Sequence, residues 1–137
     1  MWKNITVLIL TLFVINTYAK IGIGYSNEGP LPVELTTFIA SVDANLILLE
    51  WETATEVNNY GFEVQKLSLE NLDSTWVIIG FVQGNGTTNS PKQYSFTDEI
   101  NLGDEKVTYR LKQIDLDGKY AFSKVLIVDL ASITGVE

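Results

Sequence analysis

An all-β fold, a seven-stranded antiparallel β-sandwich behind an export signal, is what this chain predicts, on three observations. From Val33 onward, short apolar runs alternate with turn signals at close intervals, the pattern of a sandwich or barrel. No stretch sustains the 3.6-residue apolar period of a helix. Val, Ile and Thr are frequent, and 46% hydrophobic with 11% aromatic residues suits β structure around a packed core. The 137 residues fit one domain.

The elements follow in order. Residues 1–19 read as a signal peptide: Lys3 supplies the basic start, Ile5 to Ile15 the apolar stretch, and Thr17-Tyr18-Ala19 puts small residues, Thr17 and Ala19, at the two inspected positions before cleavage after Ala19. That apolar run is shorter than the ~18–20 residues of a membrane span. Residues 20–32 hold Gly22, Gly24, Gly29, Pro30 and Pro32 and read as a linker. Gly22-Ile23-Gly24 follows no strand and opens no helix, so it is no phosphate loop. The domain proper spans residues 33–130, with a short tail at 131–137.

Strands are expected at 33–42, 46–53, 60–67, 76–83, 93–98, 106–114 and 119–130. Period-two alternation puts Ile47, Leu49 and Trp51 on one face, and likewise Tyr60, Phe62 and Val64, and Val107, Tyr109 and Leu111. Residues 55–59 and 84–91 read as polar loops, and Asp115-Leu116-Asp117-Gly118 as a tight hairpin with Gly at positive φ.

Charge and composition exclude several classes. The formal charge is −8, and residues 20–137 carry 8 basic against 17 acidic side chains, or −9. Such a surface repels phosphate backbones and argues against nucleic acid and anionic membranes as partners. The chain has no Cys and no His. That removes disulfides, Cys/His zinc sites, thiol nucleophiles, hydroxyl-imidazole-carboxylate catalysis and lipoprotein acylation. The core alone must hold the domain.

Several segments together resemble a known family. Leu31-Pro32-Val33-Glu34-Leu35-Thr36-Thr37-Phe38 is similar to the opening of the fibronectin type III-like (immunoglobulin-like) domains of secreted bacterial proteins. Trp51-Glu52-Thr53-Ala54-Thr55-Glu56-Val57-Asn58-Asn59-Tyr60-Gly61-Phe62-Glu63-Val64 resembles that family's second and third strands. Phe81-Val82-Gln83-Gly84-Asn85-Gly86, Tyr94-Ser95-Phe96-Thr97-Asp98, Tyr109 to Gly118 and Ser123-Lys124-Val125 continue the likeness in order. The resemblance implies a domain that spaces or presents its neighbours, without catalytic residues. It also implies a C-terminal sorting domain for type IX secretion beyond the sandwich, and here the sequence runs to Glu137.

Individual residues are weighed against their structural reading. Trp51 is expected in the core and Tyr109 as a tyrosine corner, its hydroxyl capping a backbone group. Trp76, beside a turn, is expected to be half exposed, packing there or stacking on a sugar ring. Asp115 and Asp117 open like a calcium loop, but Tyr120 and Phe122 stand where ligands are needed. Glu50 and Glu52 share the polar side of one strand, which does not build the carboxylate cleft of a glycosidase. Leu46 and Leu48, on that same side, hint at docking against a neighbour. Asn85-Gly86-Thr87 matches the N-glycosylation triplet, retained only as a sign of exposure.

The reading that follows is a non-catalytic structural or interaction module of a secreted or cell-surface bacterial protein, with the periplasm as the other location. No cofactor or metal is expected, and the chain is not expected to be an integral membrane protein once its signal is removed. The expected partner is a neighbouring domain or another surface protein. The alternative is a carbohydrate- or protein-binding domain, with Asn58, Asn59, Asn85, Thr87 and Trp76 as candidate binding residues, since loops at sandwich ends are common binding surfaces.

Overall fold

The structure, a computed structural model, describes residues 16–17, 33–70, 73–101 and 103–131. Most of the expected signal peptide, the linker and all of the tail except Ala131 lie outside the described residues. The fold is all-β and antiparallel. In chain order the strands are β1 Asn16–Thr17, β2 Val33–Asp43, β3 Leu46–Glu70, β4 Asp73–Thr88, β5 Lys92–Glu99, β6 Lys106–Asp115, β7 Tyr120–Phe122 and β8 Leu126–Asp129. Seven of them lie in the expected domain. β1 is a two-residue bridge from within the segment read as a signal, pairing Asn16 with Phe38 and Thr17 with Thr37.

The organising element is β3. Its first half pairs with β2 on one side and β5 on the other, with Trp51 opposite Phe38 and Tyr94. Its second half pairs with β4 and β6, with Val64 opposite Gly80 and Leu111. β6 then carries β8 along its start and β7 along its end. The changeover falls near Glu56–Gly61, where the registers with β4 and β6 shift and Asn58 takes a φ of 52°. Asn tolerates this left-handed conformation better than most residues. The expected loop at residues 55–59 is therefore strand, bent rather than interrupted. Residues 84–88, also expected as loop, continue β4, and the expected last strand is split by residues 123–125.

Trp51 joins the two halves of β3. Its ring stacks on Tyr94 (5.7 Å between centroids, 16° between planes) and meets the edges of Phe38 at 6.4 Å and Phe62 at 5.5 Å. Ile47 and Leu49 lie beside it, with Val107, Tyr109, Leu111, Leu126 and Val128 from the later strands, all buried. Aromatic pairs in these geometries add about 0.5–1.5 kcal/mol each beyond area burial. The two fully alternating triads, Ile47/Leu49/Trp51 and Val107/Tyr109/Leu111, bury as expected. Tyr60 does not join Phe62 and Val64. The irregularity between Asn59 and Gly61 breaks the alternation, and Tyr60 is exposed against Phe81 at 5.2 Å.

The hairpin forms as expected. Gly118 has a φ of 85° and its N–H donates to the Asp115 carbonyl at 2.9 Å. Asp117 Oδ1 accepts the Lys119 N–H at 3.0 Å, and Lys119 Nζ lies 3.1 Å from Asp117 Oδ2. That backbone donor and the lysine lower the Asp117 pKa from its ordinary value. Tyr109 departs from the corner expected of it. Its hydroxyl donates to the Asp98 carboxylate at 2.6 Å instead of a backbone group, and Lys66 Nζ reaches the same oxygen at 2.8 Å.

Candidate functional site

Two places gather the residues that could carry function. The first is the bend of β3. Four of the candidate residues converge there: the Asn58 N–H donates to Thr87 Oγ1 at 3.0 Å, and Asn59 and Asn85 flank the same turn of chain. Trp76 is elsewhere. It pairs with Leu67, eight residues along β3 from Asn59, which is about 26 Å at the rise of a strand.

The centre of this cluster is Glu56, fully buried and not singled out by the sequence. Its Oε1 accepts the hydroxyls of Thr53, at 2.8 Å, and of Tyr94, while Oε2 accepts the Asn85 N–H at 3.0 Å. Asn85 Nδ2 donates back to Tyr94 Oη at 2.8 Å. Burial, followed by the Glu56 hydrogen bond, pushes the Tyr94 phenol well above its ordinary value, so it stays protonated and donates. The carboxylate thus ties three separate stretches of chain together. These three bonds hold the bend of β3.

Asn59 is buried at 1% exposure, its amide packed against Gly84, whereas Asn58, Asn85 and Thr87 are exposed. Gln113 Nε2 donates to Asn59 Oδ1 at 3.3 Å and to Asp115 Oδ1 at 2.7 Å. Leu116 N–H donates to the Asn58 carbonyl at 2.8 Å, which joins the bend to the hairpin. Among the candidates, then, Asn59 serves the interior and the other three line an exposed rim.

The second place is the outward face of β4, β3, β6 and β7. Here Trp76 is half-buried, and the Arg110 guanidinium lies 4.2 Å from its ring and 3.9 Å from that of Phe122. Lys112 Nζ sits 4.5 Å above the Tyr120 ring, which packs edge-on against Phe122 at 5.5 Å. Arg110 Nε donates to Gln65 Oε1 at 2.8 Å, and Lys112 pairs with Glu63 at 3.5 Å. Partial burial lowers the Arg110 pKa from its ordinary value. Tyr120 is 59% exposed, and Ile78, Phe81 and Phe122 are exposed on the same sheet. Cation–π contacts of this kind contribute about 0.5–2 kcal/mol each and fix ring orientation. The outcome is a set of aromatic rings held in place by cations and still open to solvent.

The corresponding face of β2, β3 and β5 is different. Glu50 is exposed, Glu52 Oε2 accepts Gln93 Nε2 at 3.1 Å, and Thr36 Oγ1 donates to the Glu52 carbonyl at 3.1 Å. Leu46 is exposed and Leu48 half-buried on that side, beside Glu99 and Thr97.

No protein-family model matches the chain, and no curated protein and no solved structure was found to be similar to it.

Proposed function

We propose that the chain is a non-catalytic interaction module of a secreted or cell-surface bacterial protein, folded as a fibronectin type III-like β-sandwich. The sandwich reading is supported by β3, whose halves take different strand partners while Trp51 on the first half meets Phe62 on the second. The observation that carries the function is the outward face with Trp76, Arg110, Phe122, Lys112 and Tyr120. It places braced, solvent-exposed aromatic rings where a partner surface or a neighbouring domain can cover them. Aromatic residues and Arg are the groups that dominate protein interfaces.

Export is tested first. Expression in a bacterial host with an intact secretory route, followed by mass measurement of the extracytoplasmic fraction, is expected to give a chain beginning at Lys20. A full-length product confined to the cytoplasm refutes the secreted reading.

A second reading, glycan binding, draws on the exposed Tyr120 and Phe122 rings, since sugar faces stack on such rings. Titration with a panel of oligosaccharides, monitored through Trp76 fluorescence, separates the two. Saturable quenching that is lost in Tyr120→Ala favours the glycan; no response to any sugar leaves the protein-facing reading.

A further inference from the structure

The edge of β4 differs from every other edge among the described residues. β4 pairs only with β3, so its other side presents unpaired backbone groups along Asp73–Thr88. Natural sheets blunt such edges with Lys, Pro, inward charges or short strands. From Ser74 to Ser90 the sequence has no Lys, Arg, Asp, Glu or Pro. Val77 and Ile78 on this strand are 46% and 57% exposed, and Phe81 is 44% exposed. Bulges also blunt edges, and the register of β4 with β3 shifts at Ile79 and again beyond Gln83; from Asp73 to Ile78 it runs unbroken, so this shorter stretch is regular enough to template another strand.

The remaining edges are guarded. β2 carries Glu34 and Asp43 and meets β1 at Thr37 and Phe38. β5 carries Lys92, Asp98 and Glu99. The far side of β6 is taken by β7 and β8, each short and separated from the other by residues 123–125.

We infer that two copies of this chain associate through their β4 edges, antiparallel about a two-fold axis, to extend one sheet across both. A partner strand without charges suits this stretch, and Ser74–Thr88 of a second copy is one. A chain of net charge −8 repels its own copies, but β4 carries a single acid, Asp73 at its first position. Two β4 edges therefore meet with no like charges directly opposed along Ser74–Ser90. A two-fold axis also makes the pairing self-complementary, since each strand then gives and receives the same backbone hydrogen bonds. The inference rests on the module reading only in needing a folded sheet with a free edge. It names a partner for the edge, and leaves the aromatic face to whatever that face binds.

The test is sedimentation velocity over a wide concentration range, combined with concentration-dependent amide hydrogen exchange on the full chain. Dimer formation is expected, with protection rising within residues 74–82 as concentration rises. Ile78→Lys and Val77→Lys should each weaken dimerisation by about tenfold or more, because each puts a charge into a desolvated strand pair. Ile127→Lys on β8, 50% exposed and remote from this edge, should leave it unchanged. A chain monomeric at every concentration, with exchange in β4 independent of concentration, overturns the proposal. So does a dimer that survives both lysine variants with the far-UV β signal intact. If those variants lose that signal, the exchange data on the unchanged chain decide alone. Binding of a ligand by the aromatic face is measured separately, so a monomer that binds would refute the pairing and keep the module.

Discussion

Glu56→Gln tests whether the bend of β3 is held by a buried charge. The carboxylate accepts three hydrogen bonds, from Thr53, Tyr94 and the Asn85 backbone. A hydrogen bond to a charged group contributes about 1.5–3 kcal/mol, a neutral one about 0.5–1.5. Converting three from one kind to the other loses about 1 kcal/mol each, or about 3 kcal/mol. The glutamine amide also presents a donor where the carboxylate offered an acceptor, so either the Asn85 N–H or the hydroxyl pair faces a donor. Relief from burying a charge offsets part of this, leaving a net loss of about 2 kcal/mol. Urea unfolding followed by Trp51 fluorescence should therefore show a midpoint lower by about 1 M at unchanged m. Glu50→Gln, on an exposed side chain, is the control and should move the midpoint by no more than about 0.5 kcal/mol equivalent. Equal effects of the two substitutions would refute the claim that Glu56 anchors the bend.

Three further outcomes are expected. Burial and the Asp98 carboxylate push the Tyr109 phenol far above its ordinary value of about 10. A folded value raised above the unfolded one means full stability below about pH 10 and loss as pH rises further. Urea midpoints should thus fall as pH rises above about 10, and Tyr109→Phe should reduce that fall while lowering the midpoint at neutral pH; identical alkaline slopes would count against it. Gly84→Ala would place a Cβ 2.6 Å from Cγ and Nδ2 of Asn59 and 2.7 Å from its carbonyl oxygen. Buried crowding of this kind costs about 1–3 kcal/mol, so the melting temperature should drop by several degrees, and an unchanged melt would mean the bend can open. Residues 20–137 alone, lacking the Asn16–Thr17 bridge, should be within about 2 kcal/mol of the full chain, because a two-residue bridge supplies few hydrogen bonds at about 0.5–1.5 kcal/mol each; a much larger loss would make the first residues part of the fold and undo the signal reading.

The sequence was most legible where the alternation is unbroken. Ile47, Leu49 and Trp51, and Val107, Tyr109 and Leu111, lie in regular ladders, so period two alone identifies the buried face. Tyr60 departs from the alternation because the shift between Asn59 and Gly61 moves a side chain to the other face without any change of residue type. Residues 55–59 read as a loop because their polar composition is that of a loop. Burial of Glu56 and Asn59 depends on donors from β4, β5 and β6, which lie far along the chain. The same limit applies to Tyr109, whose partner Asp98 could be named only once β5 and β6 were known to approach each other. Trp76 is half-buried beside its turn. Its neighbours Arg110 and Phe122 stand on other strands, so the aromatic face could not be assembled from local spacing.

The two outward faces of the sheet differ in how their polar groups are used. The face of β2, β3 and β5 spends its polar groups on one another, with Thr36, Glu52 and Gln93 linking adjacent strands. On the face of β4, β3, β6 and β7 the cations are also partnered, Lys112 by Glu63 and Arg110 by Gln65. Glu63 compensates the charge of Lys112, whereas neutral Gln65 leaves that of Arg110 in place. What the partnered cations do is hold Trp76, Phe122 and Tyr120 in fixed orientations. Rings already ordered lose less side-chain entropy on association, so the same apolar area binds more tightly than mobile rings would. If this face binds a partner as proposed, Arg110→Ala should weaken that binding even where Arg110 does not touch the partner, because it releases Trp76 and Phe122 from the orientations in which Arg110 holds them.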